Sequence, residues 1–366
     1  MIDTSPVVLP LSERLRERIR REGPITFCEW MRAALYDPHE GYYKRSDRKR
    51  WGREGDYRTS PERSALFAAT FAGYFADLFE KLGGPSKWTI VESGAGDGSF
   101  ANGLLATLQE FFPHVFKATH YVIDEIGAGE STRQRLSSFG DRVTFEPIAA
   151  AEINPGIVFS NELFDAFPVH RVTVDNGEVR EFYVNLGPNE EFVWALGALS
   201  SPELTKHIAE RRIELAEGQS TEINLAIEDW LTLASARITR GFLITVDYGV
   251  DPQSLRSEGT LRGFQKHSFV ADVLSTPGEQ DLTSSVDWSV VRDVGDKLGL
   301  KTIAFECQDK FLLSAGLLTQ LQLEMDQQVD DVERLRLSTA AREMILPDGM
   351  AASFQVLVQE KVNETA

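Results

Sequence analysis

Cysteine is almost absent from this chain: among 366 residues there are two, Cys28 and Cys307. They are far apart and have no CxxC or CxxH neighbour, which excludes a disulfide scaffold and a zinc ribbon and leaves two reduced core thiols. The six histidines (His39, His114, His120, His170, His207, His267) show no metal spacing. No apolar run approaches the roughly 18 residues of a membrane span. Positive charge is also in deficit: 38 Lys and Arg against 56 Asp and Glu give a net charge of −18. A general nucleic-acid binder and a flat contact with anionic membrane are therefore not expected. There is no G-x-S-x-G nucleophile elbow, no internal repeat and no low-complexity tract. Residues 1–10 lack the basic and apolar regions of a secretory signal, and the arginines of residues 11–23 alternate with glutamates, unlike an acid-poor transit peptide. These features lead us to expect a cytoplasmic protein.

What remains is an ordinary globular composition, 42% hydrophobic and 26% charged, long enough for one sizeable core with insertions. Helical patterns are expected over residues 11–22, over 28–36, and from about Pro61 to Leu82. The last has Ser60 as N-cap and Phe67, Phe71, Tyr74, Phe75 and Leu78 on its buried side. The basic, glycine-containing stretch 44–58 reads as a loop. From Lys87 strands and helices alternate, the pattern of an α/β protein with a parallel sheet. Strands are expected near 88–92, 120–125, 142–146, 156–160, 241–247, 301–306 and 354–360. Between the fourth and fifth lies an insertion over about 169–220, opening with a β-hairpin around Asn176-Gly177. Residues 317–343 read as a solvated outer helix.

The richest chemistry sits in Glu92-Ser93-Gly94-Ala95-Gly96-Asp97-Gly98, between a strand and a helix. Glycines at alternate positions let main chain press against a ligand, and the helix that follows offers unpaired N–H groups to a carboxylate. Dinucleotide sites use G-x-G-x-x-G, whereas here the sixth place is Ser99. The acid before the turn suits a cationic amino group, so the run favours S-adenosylmethionine over NAD. Glu125, ending the next strand, stands where a ribose diol is held. Asp124 is its neighbour, but strand alternation points only one of the two into the crevice.

Beyond the fourth strand comes Asn161-Glu162-Leu163-Phe164-Asp165. Its two acids are spaced to share one side of a helical turn and could clamp a guanidinium or simply be solvated beside an N-capping Asn. Gly55-Asp56-Tyr57-Arg58-Thr59-Ser60-Pro61-Glu62 could close over the donor through Gly55, Thr59 and Ser60, or merely cap a helix. Asp247-Tyr248-Gly249 ends the fifth strand and could border an acceptor pocket, as could Asp281 and Thr283 in the loop Pro277–Thr283.

Taken in order, these runs, together with Leu35-Tyr36-Asp37-Pro38, Gly41-Tyr42-Tyr43 and Gly259-Thr260-Leu261-Arg262, resemble the MidA family of class I S-adenosylmethionine-dependent methyltransferases. The resemblance extends from about residue 22 to the last strand, and it implies a cytoplasmic protein in a bacterial host or a mitochondrial matrix protein in a eukaryotic one. It implies a Rossmann-like methyltransferase sheet over residues 87–366, a helical N-terminal lid over 1–86, and methylation of a protein arginine in a respiratory-chain subunit or similar client. By position, Glu92, Gly94, Gly96 and Gly98 would hold the methionine end of the donor, Glu125 its ribose, and Asn161 the donor's edge. Glu162, Asp165 and Asp247 would serve the acceptor. Departures from the family pattern are Tyr57 for Phe, Ser160 for Ala, and Ile126-Gly127-Ala128-Gly129 in place of a Ser-Pro turn. Two other classes share these residues: a small-molecule O- or N-methyltransferase, and a non-catalytic assembly factor keeping a relic donor site.

Overall fold

The computed structural model describes residues 9–45, 65–250, 259–265, 268–328, 330–346 and 353–361. The chain divides into two compact units, one comprising Met1–Arg48, Ala166–Ala226 and Pro252–Ser285, the other Lys49–Asp165, Ile227–Asp251 and Val286–Ala366.

The second unit is built on an eight-stranded sheet with strands β1 (Trp88–Ser93), β2 (Thr119–Asp124), β3 (Val143–Phe145), β4 (Gly156–Asn161), β5 (Gly241–Val250), β6 (Leu300–Cys307) and β7 (Phe354–Lys361), and the two-residue strand Val286–Asp287 pairs with the end of β5. Their spatial order is β6-β7-β5-β4-β1-β2-β3. All seven expected strands are present. Those from β1 to β5 run parallel, but β7 lies antiparallel between β5 and β6. The sheet is therefore mixed, not wholly parallel as the strand–helix alternation suggested. The order in which strands are added to the sheet switches sides between the parallel neighbours β1 and β4, which opens a crevice beyond their carboxyl ends.

The core of this unit is aromatic. The helix Ala65–Lys81 buries Phe67, Phe71, Phe75 and Leu78, while Tyr74 is only half-buried; the expected beginning of this helix, with Ser60, lies outside the described residues. Phe100, on the helix Ser99–Phe111, stacks on Phe159 of β4 at 4.3 Å between centroids, and Phe71 meets the same ring at 5.2 Å. These contacts fasten Ala65–Lys81 to the sheet, so it groups with the sheet unit and not with the preceding helices, although the sequence placed a lid boundary at residue 86. Residues 317–343 are two helices, Leu317–Gln327 and Asp331–Ile345. They bury Leu317, Gln320, Ala341 and Met344, so the pair is not the fully solvated helix expected.

The first unit carries the helices Leu11–Glu22 and Phe27–Tyr36. Thr26 caps the latter, its hydroxyl accepting from Glu29 N–H while the Glu29 carboxylate accepts from Thr26 N–H, a reciprocal capping box. The inserted hairpin is present as His170–Asp175 and Glu178–Leu186, turning at Asn176 and Gly177 with φ of 53° and 77°. It is the centre of a larger antiparallel sheet. Ile25–Thr26 and Phe192–Gly197 pair with one hairpin strand and Ser220–Ile223 with the other. A three-stranded sheet of Arg262–Gln265, Ser268–Val270 and Asp281–Thr283 completes the unit.

Candidate functional site

The glycine turn leaves β1 at its carboxyl end, and Gly94, Gly96 and Gly98 all take positive φ, at 74°, 56° and 78°. At Gly94 a Cβ would come within 3.0 Å of Leu163 Cδ1. A side chain is thus excluded there twice, by backbone conformation and by the turn that follows β4. The helix Ser99–Phe111 begins with Gly98 as an N-cap that supplies no side-chain bond, and Asp97 Oδ1 accepts from Ser99 N–H at 2.9 Å at its positive end.

Two acids define this turn. Glu92 is 4% exposed and accepts a hydrogen bond from Tyr121 Oη at 2.7 Å. Burial pushes its pKa up to about 8 against the pull of the Tyr121 hydrogen bond, with Glu125 and Asp97 adding to the rise. A carboxyl so placed gains from any cation brought beside it. Glu125 spans the loop beyond β2, accepting from Gly96 N–H at 3.0 Å and Gly127 N–H at 2.7 Å. The departure at Ile126–Gly129 is thus tied to the glycine turn through this one carboxylate. Asp124 points elsewhere and accepts from Ser93 Oγ at 2.7 Å.

The second cluster follows β4, whose Ser160 pairs with Ser93 of β1. Here the sequence expectation of a helical turn gives way to an irregular one. Glu162 adopts φ of 53°, a left-handed conformation disfavoured outside glycine and retained where surrounding structure enforces it. What enforces it is Asp247 on β5, whose Oδ2 accepts from Leu163 N–H at 3.2 Å, Phe164 N–H at 2.9 Å and Asp165 N–H at 3.4 Å. Its Oδ1 accepts from Tyr248 N–H at 2.9 Å. Asp247 is wholly buried and holds the turn from beneath. Burial and the neighbouring charges of Asp165 and Glu162 drive its pKa well up, with the Phe164 and Tyr248 N–H groups pulling the other way. Asn161 Nδ2 donates to Glu162 Oε1 at 3.1 Å, while the buried Asn161 Oδ1 finds no partner among the described residues.

Glu92, Gly94, Gly96, Gly98, Glu125, Asn161, Glu162, Asp165 and Asp247 thus gather at the carboxyl ends of β1, β2, β4 and β5. Gly55, Thr59 and Ser60 lie outside the described residues. Asp281 belongs to the other unit, where Tyr43 Oη donates to its Oδ1 at 2.7 Å. Sequence reading missed Tyr121, which looks like one more apolar strand residue. Its signal lay in register: Tyr121 pairs with Ile90, two residues before Glu92 on the same face. Among the described residues no group of His, Cys, Asp and Glu could hold a metal ion, and no helix is long and apolar enough to cross a membrane.

Comparison with known proteins agrees with this geometry. A human mitochondrial protein arginine methyltransferase, NDUFAF7, is 28% identical over 383 residues, covering 95% of this chain and 82% of its own. The Drosophila melanogaster homologue is 28% identical over 318 residues, covering 79% and 70%. The crystal structure of a Burkholderia thailandensis protein bound to S-adenosyl-homocysteine superposes with a TM-score of 0.84 at 28% identity, covering 97% of this chain and 95% of that one. The family described as "Putative S-adenosyl-L-methionine-dependent methyltransferase" matches residues 70–306. The chain belongs to this family and is an S-adenosyl-L-methionine-dependent methyltransferase.

Proposed function

We propose that this methyltransferase modifies the guanidinium of an arginine in a protein client, a respiratory-chain subunit being the leading class. The observation that carries this reading is the gathering of three carboxyls, Glu162, Asp165 and Asp247, in which burial, and after it the charges of Asp165 and Glu162, raise the pKa of Asp247. A guanidinium matches paired carboxylates in shape and charge. The names carried by the human and fly relatives point the same way.

The residues beside β1 fit the donor. Bound there, S-adenosyl-L-methionine supplies a methyl group on a sulfonium, so transfer requires only an aligned nitrogen lone pair and a destination for one proton. Glu92 is proposed to balance the donor's amino group, and the N–H groups at the start of the helix after Gly98 its carboxylate. Glu125, held at the turn by the Gly96 and Gly127 N–H groups, is assigned the ribose, and Asn161 the donor's edge through its Oδ1, which has no partner among the described residues. Gly55, Thr59 and Ser60 remain proposed donor contacts. Glu162 and Asp165 orient the guanidinium and draw off its proton, while Asp247 keeps their turn in place. A cytoplasmic location in a bacterial host is part of the same proposal.

The test is transfer of label from radioactive donor into an extract of cells lacking the protein, with wild type and with Gly96→Val. Label in a discrete polypeptide with wild type alone, released as methylarginine on hydrolysis, is the expected result. Label only in the low-molecular-weight fraction would overturn the arginine assignment in favour of a small-molecule acceptor.

A further inference from the structure

Given that Glu92 meets the donor's amino group, the reading on which this inference rests, the way its carboxylate is held decides what the site accepts. Tyr121 Oη donates to Glu92 Oε2 at 2.7 Å, and among the described residues no other side chain reaches this carboxylate with a hydrogen bond. Tyr121 is wholly buried and Glu92 nearly so. The acids nearby are engaged elsewhere. Asp97 pairs with Arg135 at 2.9 Å and accepts from Ser99 N–H, and Glu125 accepts from Gly96 and Gly127 N–H. Asp124 accepts from Ser93, which alternation turns to the sheet face opposite Glu92.

The placement follows from register. Tyr121 pairs with Ile90 on β1 and with Val143 on β3. It therefore stands diagonally from Glu92, which pairs with Ile123. A diagonal neighbour is beyond the reach of a serine or threonine hydroxyl but within that of a phenol. We propose that Tyr121 is a positioning residue for donor binding: its hydroxyl fixes the Glu92 carboxylate so that the site prefers a nucleoside thioether bearing an amino acid over the bare nucleoside thioether.

Burial pushes the Tyr121 hydroxyl well above its usual pKa, and the Glu92 charge and the shared hydrogen bond add to the rise. The phenol therefore keeps its proton and acts only as a donor. The same burial holds the Glu92 proton to about pH 8, with the charges of Glu125 and Asp97 adding to it, and the Tyr121 bond opposes them. Without the hydroxyl the carboxyl keeps its proton to higher pH and loses the bond that orients it. An ammonium brought beside it then meets a neutral, untethered acid, while the nucleoside end of the ligand is unaffected.

The experiment is calorimetry on the full-length protein, Tyr121→Phe and Glu92→Gln. The ligands are S-adenosylhomocysteine and 5′-methylthioadenosine, the same nucleoside thioether without an amino acid. Phenylalanine keeps the ring and its packing. At pH 7.5 Tyr121→Phe is expected to bind S-adenosylhomocysteine at least about fivefold more weakly than the parent. It should bind 5′-methylthioadenosine within about twofold of the parent, which also shows that it is folded. Parent affinity for S-adenosylhomocysteine should rise with pH towards about 8 as Glu92 loses its proton. In Tyr121→Phe that rise should come at least about half a pH unit later, and Glu92→Gln should bind weakly and show no rise. A Tyr121→Phe protein with the parent's affinity and pH profile, beside a weakened Glu92→Gln, would overturn the role of Tyr121 and leave the donor assignment standing. Equal weakening of both ligands by Tyr121→Phe would make Tyr121 a packing residue and overturn the proposal likewise. Parent-like affinity in Glu92→Gln would remove the donor assignment itself, and the role of Tyr121 with it.

Discussion

Exchanging Glu92 for glutamine should make the protein more stable and less able to bind its donor. The folded protein holds the Glu92 proton to about pH 8, whereas an ordinary glutamate releases it near 4.5. Between those values the native state binds more protons than the unfolded chain, so stability is full at low pH and declines as pH rises from about 4.5 to about 8. Beyond about 8 both states are deprotonated and the loss is complete. The interval of roughly 3.5 pH units, at about 1.4 kcal/mol each, sets an upper value of about 5 kcal/mol. Glutamine removes the ionisation and keeps an oxygen for the Tyr121 hydroxyl. Glu92→Gln should therefore match the parent near pH 4.5 and exceed it by about 2–5 kcal/mol at pH 9. Urea unfolding at both pH values measures this. The same variant should lose at least about a hundredfold in donor affinity by calorimetry, the trade between a strained site and its function. A variant less stable than the parent at pH 9, or one keeping the parent's full pH dependence, would refute the reasoning.

Glu162→Gln and Asp165→Asn should each lower kcat at least about a hundredfold and leave donor affinity within about threefold, read by single-turnover assays beside calorimetry. Asp247→Ala strands the N–H groups of Leu163 and Phe164 that its carboxylate accepts. It should cost about 2–4 kcal/mol in thermal unfolding and depress kcat more than donor binding. Gly177→Ala meets no neighbour within 4 Å but must hold a φ of 77°. A loss of about 1 kcal/mol with unchanged methyl transfer is expected, checked by melting temperature and turnover.

The sequence made the sheet legible because its central strands are buried on both faces. Ile90-Val91, Val122-Ile123 and Ile157-Val158-Phe159 stand out as apolar runs between turn residues. Direction was not legible. Phe354–Lys361 has the same apolar character as a parallel strand, and only its pairing with β5 and β6 reveals it as antiparallel. Ile25–Thr26 is too short for any period to mark it, yet it joins Val184 and Tyr183 across the chain. At the site, Glu92, the glycines and the Glu162–Asp165 pair were visible because local spacing carries their chemistry. The role of Asp247 was not, because its acceptance of three N–H groups depends on β5 lying in register with β4. Tyr121 escaped for a related reason, since a hydroxyl aimed at a diagonal neighbour leaves no trace along its own strand.

The insertion of β7 between β5 and β6 also bears on how the chain assembles as it is made. Phe242 must find Glu360, and Thr302 must find Gln359, although β7 emerges last of the three strands. Until then one edge of β5 and the strand β6 have no partner, and unpaired edges recruit other chains. Loop closure over such separations is slow. A nascent chain carrying a finished glycine turn and an unclosed sheet is thus the species most exposed to aggregation, and the one a ribosome-associated chaperone would engage.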